Sequence, residues 1–272
     1  MGCCTSSRKT NQPKKTIKIN KNTYYVSNVL IGEGHYGKVF ECFKNNSDLK
    51  AIKIIKHEYF KENEKAALNM IKLNKHRNIM FADEIYNFKN FNYIISEYYS
   101  GSDFYDVITT KKFKQPDIYI IIRQLLKAIK HLHKIGIVHR DIKPENILIE
   151  ENLSIKLIDF GLAKIEPDIC IHKNTLRNWT KVGTSYYIPP EVLLRFYNQL
   201  CDEWSIGIIY HILAVGYPIY NGPDDTTIYY NIKRNIKITD EKDWILVHPL
   251  HKKLINILLE RDLSKRKSAN YI

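Results

Sequence analysis

The stretch His139-Arg-Asp-Ile-Lys-Pro-Glu-Asn146, followed by Asp159-Phe-Gly161, decides the fold of this chain. It supplies two carboxylates, a lysine and a carboxamide, from Asp141, Lys143, Asn146 and Asp159. Phosphoryl transfer requires positioning and neutralisation of phosphate charge, and these groups can provide both together with magnesium ions. The competing interpretation is a chance grouping of surface carboxylates in a basic protein, and the ordered spacing argues against it.

A glycine-rich stretch, Gly32-Glu-Gly-His-Tyr-Gly37, lies upstream between two strand-like runs. Glycines let backbone amides approach a polyphosphate without side-chain obstruction. A dinucleotide-binding loop would need a helix after the third glycine, whereas residues 38–43 alternate like a strand. A plain hairpin turn remains the alternative. The next strand carries Lys53 in an apolar run, where a phosphate is the natural partner, although isolated strand lysines are usually solvated.

In their order and spacing these segments resemble the signature segments of eukaryotic protein kinases. Gly183-Thr-Ser-Tyr-Tyr-Ile-Pro-Pro-Glu191, Cys201-Asp-Glu-Trp-Ser-Ile-Gly207 and Arg266 extend the resemblance over nearly the whole chain. It implies an α+β, two-lobed fold, with a small antiparallel β-sheet lobe carrying one main helix and a larger, mostly helical lobe. Strand-like runs before about residue 93 and helical periodicity after Gly101 agree with that expectation.

The expected organisation has two parts. Residues 1–22 are predicted to be a flexible basic tail, and residues 23–272 a protein kinase domain. Within the domain we expect a small lobe over about 23–96, a hinge over about 97–101 and a large lobe over about 102–272. The chain stops where the last helix of the family would still be forming, which predicts a C-terminally incomplete domain.

The resemblance assigns catalytic roles to individual residues. Asp141 accepts or orients the proton of the substrate hydroxyl, Lys143 contacts the transferred phosphate, and Asn146 and Asp159 hold the metal ions. Lys53 is the strand lysine that contacts the nucleotide phosphates and pairs with a glutamate on the helix of the small lobe.

For that glutamate we choose Glu64, although it follows Lys53 by only eleven residues. Counting back from His76 would instead place Ala66 there, and both Glu62 and Glu64 could be solvated helix charges.

The other residues implied to bind ATP come from the glycine-rich loop, the adenine pocket, the hinge and a ribose contact. They are Ile31, Gly32, Glu33, Gly34, His35, Tyr36, Gly37, Val39, Ala51, Glu97, Tyr99, Asp103 and Leu148. Ser96 falls at the gatekeeper position, where the family usually has a larger side chain. The small side chain predicts a back pocket that admits bulky adenine-mimicking inhibitors.

Within the kinases, Lys143 two residues after Asp141 is the serine/threonine form, as is Thr184 ahead of Pro189-Pro-Glu191. The segments Cys201-Asp-Glu-Trp-Ser205 and Gly216-Tyr-Pro218 look most like calcium-dependent and calmodulin-dependent kinases. No EF-hand loop occurs in the sequence, so calcium control is not inferred.

Three further residues receive structural roles from the resemblance. Pro189 replaces the usual alanine of an Ala-Pro-Glu segment, while Glu191 is retained to pair with Arg266. Asp202 is implied to hold the backbone of residues 139–146, which correspond to the catalytic loop of the family.

Arg140, beside Asp141, suggests a switch, because a buried guanidinium can be balanced by phosphate on the activation segment. Thr175 and Thr180 are the candidate acceptors. Alternatively a nearby acid such as Glu166 or Asp168 serves instead, or the threonines are ordinary loop residues.

Charge and cysteine content bear on location. The formal charge is +13, and the six lysines and arginines within residues 1–32 meet no acid there. Five cysteines without paired metal-ligand spacing suggest a reduced protein without a zinc site. Met1-Gly-Cys-Cys-Thr-Ser6 matches the N-myristoylation pattern, with Gly2 as the myristate acceptor and Cys3 and Cys4 as palmitate acceptors. An incidental Met-Gly start is the alternative.

The sequence therefore predicts an ATP- and Mg²⁺-dependent serine/threonine kinase, cytoplasmic and attached by N-terminal acylation to an anionic membrane. Asp103 and Glu145 suggest protein substrates with a basic motif. The runner-up is a pseudokinase or scaffold module. A nucleic-acid-binding protein is not expected, because no recognition motif is found.

Overall fold

The computed structural model describes residues 15–19, 22–34, 37–45, 47–165, 185–193 and 198–271. By their contacts these residues form two compact units. The first comprises Met1–Lys61 and Phe81–Tyr99, and the second comprises Glu62–Met80 and Ser100–Ile272, each within the described ranges. Gly2, Cys3, Cys4, His35, Tyr36, Thr175 and Thr180 lie outside the described residues.

The first unit is built on a six-stranded sheet in the order β1-β2-β3-β4-β6-β5, with every neighbouring pair antiparallel. Its strands are β1 (Lys15–Ile19), β2 (Asn22–Glu33), β3 (Gly37–Lys44), β4 (Asp48–Lys56), β5 (Ala82–Phe88) and β6 (Phe91–Glu97).

Residues two apart on a strand point to the same face of the sheet, and Tyr24 with Val26 on β2 and Tyr93 with Ile95 on β6 supply such pairs to one core. The core cluster of this unit includes Tyr24, Val26, Cys42, Ile52 and Tyr93. Burial raises the pKa of the Cys42 thiol to about 12, so this cysteine behaves as an apolar core residue.

The second unit is mainly helical. Its helices are α1 (Glu62–Leu73), α2 (Phe104–Thr110), α3 (Gln115–Lys134), α4 (Pro190–Leu193), α5 (Cys201–Val215), α6 (Asp225–Arg234), α7 (Glu241–Leu246) and α8 (Pro249–Leu258). Its strands are β7 (Ser102–Asp103), β8 (Ile137–Val138), β9 (Ile147–Ile149), β10 (Ile155–Leu157) and β11 (Lys164–Ile165). The α+β class predicted from the sequence is confirmed.

The core of the second unit lies where α5 packs against α3 and α8. The first eleven residues of α5, Cys201 to His211, are all buried, as its nearly uniform apolarity predicts. Gly216 ends this helix in the left-handed conformation, with φ of 104°, which glycine adopts without steric cost.

Helix α1, which the sequence analysis assigned to the small lobe, is grouped by its contacts with the second unit. It packs against β11, and the segment that follows it forms a parallel bridge from Ile79 to Leu157. None of the helices in the described ranges combines the length and apolarity needed to cross a bilayer.

Candidate active site

The hairpin of β9 and β10 positions two of the predicted metal ligands. Leu157 pairs with Ile147 in the antiparallel register, and the N–H of Ile158 donates to the carbonyl of Asn146 at 2.9 Å. Asn146 precedes the hairpin and Asp159 follows it, so both lie at the same end of the hairpin. Antiparallel pairing thus brings together two residues that are thirteen positions apart.

Asp141 is held by its neighbours in the loop before this hairpin. The side-chain amide of Asn146 donates to the carbonyl oxygen of Asp141 at 2.7 Å and to its Oδ2 at 2.8 Å. The Nζ of Lys143 lies 3.0 Å from the same Oδ2, and both side chains are only about 15% exposed, at 15% and 14%. A half-enclosed carboxylate with a lysine beside it suits the orientation of a hydroxyl for attack on phosphate.

A buried carboxylate on α5 accepts hydrogen bonds from the backbone of the catalytic loop. Asp202 accepts the backbone N–H of His139 at 2.9 Å and that of Arg140 at 2.8 Å, and the Nε2–H of His133 at 2.9 Å. Burial alone would raise its pKa, but the His133 hydrogen bond and charge, with the Arg140 N–H, outweigh burial and lower the pKa. Asp202 is therefore ionised, and it holds Arg140 in a left-handed conformation with φ of 64°.

The segment Asp159-Phe-Gly161 is fixed by packing against the same loop. Phe160 is buried and lies 5.0 Å, centroid to centroid, from His139. His139 accepts the N–H of Asp141 at Nδ1, so its Nε2 carries the proton that it donates to the carbonyl of Ile158 at 3.1 Å. Asp159 has φ of 61°, a conformation that costs a non-glycine residue energy and is common at functional sites.

Glu64 points toward this segment from α1. Its side chain is buried, whereas Glu62 is exposed. A β-carbon placed on Gly161 would lie 3.7 Å from the Oε2 of Glu64 and 3.2 Å from the Oδ1 of Asp159. A side chain at Gly161 would therefore crowd both carboxylates. Because its side chain is buried, Glu64 is not a solvated charge on the helix surface, which was the alternative left open by the sequence.

The donor set fits a magnesium ion. Asn146 uses its amide nitrogen toward Asp141, and Asp159 offers a carboxylate, so the residues at this end of the hairpin present oxygen ligands, which Mg²⁺ prefers. In the described ranges no group of three or more His, Cys, Asp and Glu side chains is gathered for a metal. A bound ion would supply charge neutralisation for phosphate oxygens.

Two predicted nucleotide contacts, Asp103 and Leu148, lie opposite one another where β7 pairs with β9. Asp103 also caps α2, since its Oδ1 accepts the N–H of Tyr105 at 2.8 Å. Burial is the largest cause of the raised pKa of Asp103, followed by that hydrogen bond, which lowers it, and by the charge of Asp106, which raises it.

Glu145 is a half-buried acid beside the catalytic residues. Its Oε2 has no hydrogen-bond partner among the described residues. Burial raises its pKa most, and the charges of Asp141 and Asp103 raise it further, against the opposing charge of Lys143. A cation that approaches this acid would stabilise its ionised form.

In the first unit, the sheet register brings the predicted nucleotide contacts to one face. Val39 lies opposite Lys53 across β3 and β4, and Ala51 lies opposite Ser96 across β4 and β6. Directly opposed residues share a face, and Ala51 and Lys53 are two apart, so all four side chains lie on the same face. Glu97 ends β6 opposite Lys50, with Tyr99 two residues later.

The glycine-rich loop is the turn between β2 and β3. Gly32 pairs with Val39 and Glu33 with Lys38, and the N–H of Gly34 donates to the carbonyl of Gly37 at 2.9 Å. The side chain of Lys38 lies 3.0 Å from Glu33. Ile31, just before the loop, is 40% exposed.

The expected structural ion pair is present in the second unit. Arg266 donates to both oxygens of Glu191, with Nη2 at 3.0 Å from Oε2, and its Nε donates to the carbonyl of Glu260 at 2.7 Å. The guanidinium lies 4.9 Å from the ring centroid of Trp204, and both charged side chains are buried. The pair ties α4 to the end of the described chain.

His133 contacts Asp202, and Glu203 contacts His133. Neither His133 nor Glu203 was identified from the sequence. His133 lies one turn beyond Ile129 on the buried face of α3, and Glu203 follows Asp202 directly. A histidine among the buried positions of an amphipathic helix is the signal that could have indicated the first. Glu203 lies on a helix whose apolarity predicts burial, but no pattern in the sequence identifies its partners.

The sheet of the first unit, the helices of the second unit and the catalytic loop within the second unit are the features of a protein kinase domain. A protein-family comparison matches residues 25–272 to the protein kinase domain, so the chain belongs to the protein kinase family. The resemblance found in the sequence is thereby confirmed.

The chain is similar to calcium-dependent protein kinase 4 of Plasmodium berghei (strain Anka), with 35% identity covering 91% of this chain and 48% of the relative. The same-named protein of Plasmodium falciparum (isolate 3D7) is 34% identical over the same shares. Calcium-dependent protein kinase 5 of Plasmodium berghei (strain Anka) is 31% identical, covering 95% of this chain and 47% of the relative. The chain thus spans about half the length of these relatives.

Proposed function

We propose that this chain transfers the γ-phosphate of ATP to serine or threonine hydroxyls of protein substrates. The observation that carries the proposal is the arrangement around Asp141, whose carboxylate is held by Asn146 and Lys143 beside the chain that leads to Asp159. These groups supply what phosphoryl transfer needs, namely an oriented hydroxyl, a cation for the phosphate and oxygen ligands for Mg²⁺.

Each residue has a separate task in this proposal. Asp141 orients the attacking hydroxyl and takes its proton. Lys143 neutralises charge on the transferred phosphate, while Asn146 and Asp159 hold the Mg²⁺ that ATP brings. Lys53, on the sheet face it shares with Val39, contacts the nucleotide phosphates.

The test is phosphate transfer from ATP to an array of serine, threonine and tyrosine peptides. We expect transfer to serine and threonine, and a loss of about a hundredfold or more in Asp141→Asn, which removes the base. Asp262→Asn is the matched control, because it makes the same change at an exposed turn. Full activity in Asp141→Asn would contradict the proposal. ATP binding by the wild type without transfer would favour the pseudokinase alternative.

The acids Glu145 and Asp103 support a preference for basic substrates. Glu145 is half-buried and has one buried oxygen that lacks a partner among the described residues, and both acids add to one negative field. An arginine of the substrate would satisfy that oxygen and be attracted by the field. Glu145→Gln should therefore reduce the advantage of arginine-containing peptides over their alanine versions. An unchanged ratio would discard the preference.

Ser96 supports a back pocket behind the nucleotide. It lies on the same sheet face as Ala51, its partner across β4 and β6. A larger residue would fill that space, so Ser96→Met should weaken inhibition by a bulky adenine mimic while ATP is still used. Equal inhibition of the two proteins would remove the pocket from the proposal.

Arg140 supports control by phosphorylation. Its guanidinium is buried, and its Nε donates to the carbonyl of Leu162 at 2.8 Å. The candidate acceptors Thr175 and Thr180 lie outside the described residues. If phosphate on either one activates the protein, the double variant Thr175→Ala, Thr180→Ala should lose activity. Retention of full activity would exclude the switch.

The sequence Met1-Gly-Cys-Cys-Thr-Ser6 supports membrane attachment by acyl chains on Gly2, Cys3 and Cys4. One myristoyl chain binds only marginally, so palmitate or the following lysines would provide the second signal. In eukaryotic cells Gly2→Ala should lower the fraction of the protein found in the membrane pellet. Equal pelleting of the two proteins would discard the anchor.

A further inference from the structure

A basic surface lies on the second unit away from the residues proposed for catalysis. Along α3 the cations recur at intervals of three and four residues, which places them on one helix face. Arg77, from the segment after α1, joins them. We call this surface the basic patch and define it by five residues: Arg77, Arg123, Lys127, Lys130 and Lys134.

Tertiary contacts bring the segment after α1 against α3. The rings of His76 and His131 stack with centroids 5.1 Å apart, and the Nε2–H of His131 donates to the carbonyl of Asn74 at 2.6 Å. Burial lowers the pKa of His76 most, and the charges of His131, Arg77 and Lys127 lower it further. The ring stacking and the His131 hydrogen bond therefore bring the cations of both segments to one surface.

The positive charge of the basic patch is not balanced locally. Within the described part of the chain, none of its five residues pairs with a carboxylate. The only acid of α3 is Asp117 in its first turn, and four of the five patch residues are exposed while Lys127 is half-buried. From Arg123 to Lys134 the stripe runs about 16 Å along the helix.

An exposed leucine borders the basic patch. Leu73, the last residue of α1, is 84% exposed and adjoins Asn74, whose carbonyl binds His131. Ile120, one turn before Arg123 on the same helix face, is 44% exposed. Cations flanked by exposed apolar side chains are typical of surfaces that lie in a lipid headgroup region.

We propose that the basic patch docks the kinase domain on an anionic lipid bilayer, with Leu73 entering the headgroup layer. Lysines predominate on α3, and a lysine is a point charge on a flexible stem that suits a diffuse negative surface. A helix face is convex, whereas an acidic peptide is usually held in a groove or along a sheet edge. The contact requires neither the acyl chains nor the phosphoryl transfer proposed above.

The test uses residues 1–272 without acylation and vesicles of phosphatidylcholine with or without phosphatidylserine. We expect sedimentation only with the anionic vesicles. The triple variant Lys127→Gln, Lys130→Gln, Lys134→Gln should bind them about a hundredfold more weakly, because each lysine near such a surface contributes roughly a fivefold effect. Leu73→Ser, which leaves the net charge unchanged, should weaken binding several-fold.

The matched control is Lys237→Gln, Lys242→Gln, Lys253→Gln, which removes the same charge from exposed positions elsewhere in the second unit. It should change vesicle binding by less than about twofold. Equal losses in the two triple variants, or wild-type binding by the patch variant, would overturn the proposal. So would binding of soluble polyglutamate through the patch without binding of vesicles. Thermal unfolding and ATP binding report whether each variant is folded.

Discussion

His133 lies between two buried carboxylates, with its Nε2 2.9 Å from Asp202 and its Nδ1 3.6 Å from Glu203. Asp202 holds the backbone of the catalytic loop, and Glu203 accepts the N–H of Ala269 at 2.9 Å near the end of the described chain. The Oε2 of Glu203 has no partner among the described residues. One histidine therefore connects the catalytic loop with the segment around Ala269.

Glu203 is expected to make stability depend on pH. Burial is the main cause that raises its pKa from the ordinary 4.5 to about 7, with the charge of His133 opposing. Between those values the folded protein keeps a proton that the unfolded chain releases. The free energy of unfolding should therefore fall as the pH rises through this window, by on the order of 3 kcal/mol.

The variant Glu203→Gln tests this, because glutamine resembles the protonated acid and does not titrate. Relative to wild type, its free energy of unfolding should increase steadily from pH 5 to pH 7.5, measured by urea denaturation. A difference between the two proteins that stays constant over that range would show that Glu203 does not titrate in this window.

Asp202→Asn should reduce phosphoryl transfer. The two oxygens of Asp202 accept one backbone N–H each, from His139 and Arg140, and asparagine would present an amide nitrogen in place of one of these oxygens. Loss of a buried, charge-assisted hydrogen bond costs about 1.5–3 kcal/mol. Turnover should fall more than tenfold in the peptide assay. Glu203→Gln is the control, since it removes an acid from the same helix without touching that backbone. Equal turnover in the two variants would contradict an anchoring role for Asp202.

The catalytic loop was predictable because its residue types stand in a fixed order that few other proteins share. Glu64 was harder to identify, since counting along the chain favoured Ala66, and only the direction in which α1 faces Gly161 distinguishes the two. The grouping of α1 with the second unit depends on its packing against β11. The role of Glu203 could not be found, because its contacts with His133 and Ala269 join residues far apart in the sequence.

The ion pair of Arg266 and Glu191 should be important for stability. Both side chains are buried, and the guanidinium also stacks over Trp204. Arg266→Lys keeps the charge but loses the bidentate geometry and the stacking. Glu191→Gln leaves a buried cation without its partner, so its free energy of unfolding should fall by about 3–5 kcal/mol.

The control for this pair is Lys265→Gln, which changes an exposed cation on the residue next to Arg266. It should leave the urea midpoint unchanged, whereas both pair variants lower it. If Glu191→Gln and Lys265→Gln had the same midpoint, the buried pair would not contribute to stability.

Gly37 should tolerate no side chain, in contrast to Gly34 in the same loop. A β-carbon at Gly37 would collide with the carbonyl oxygen of Ile54 and lie 3.0 Å from the Cγ1 of Ile55, while the nearest described atom to one at Gly34 is the carbonyl oxygen of Gly37 at 3.9 Å. Relief of the first clash requires β3 and β4 to separate, so Gly37→Ala should lose about 1–3 kcal/mol of unfolding free energy. Gly34→Ala should match or slightly exceed wild type, because alanine restricts the unfolded chain. Thermal unfolding of the two variants without nucleotide measures this, and equal midpoints would show that the close approach of Gly37 to Ile54 does not constrain the sheet.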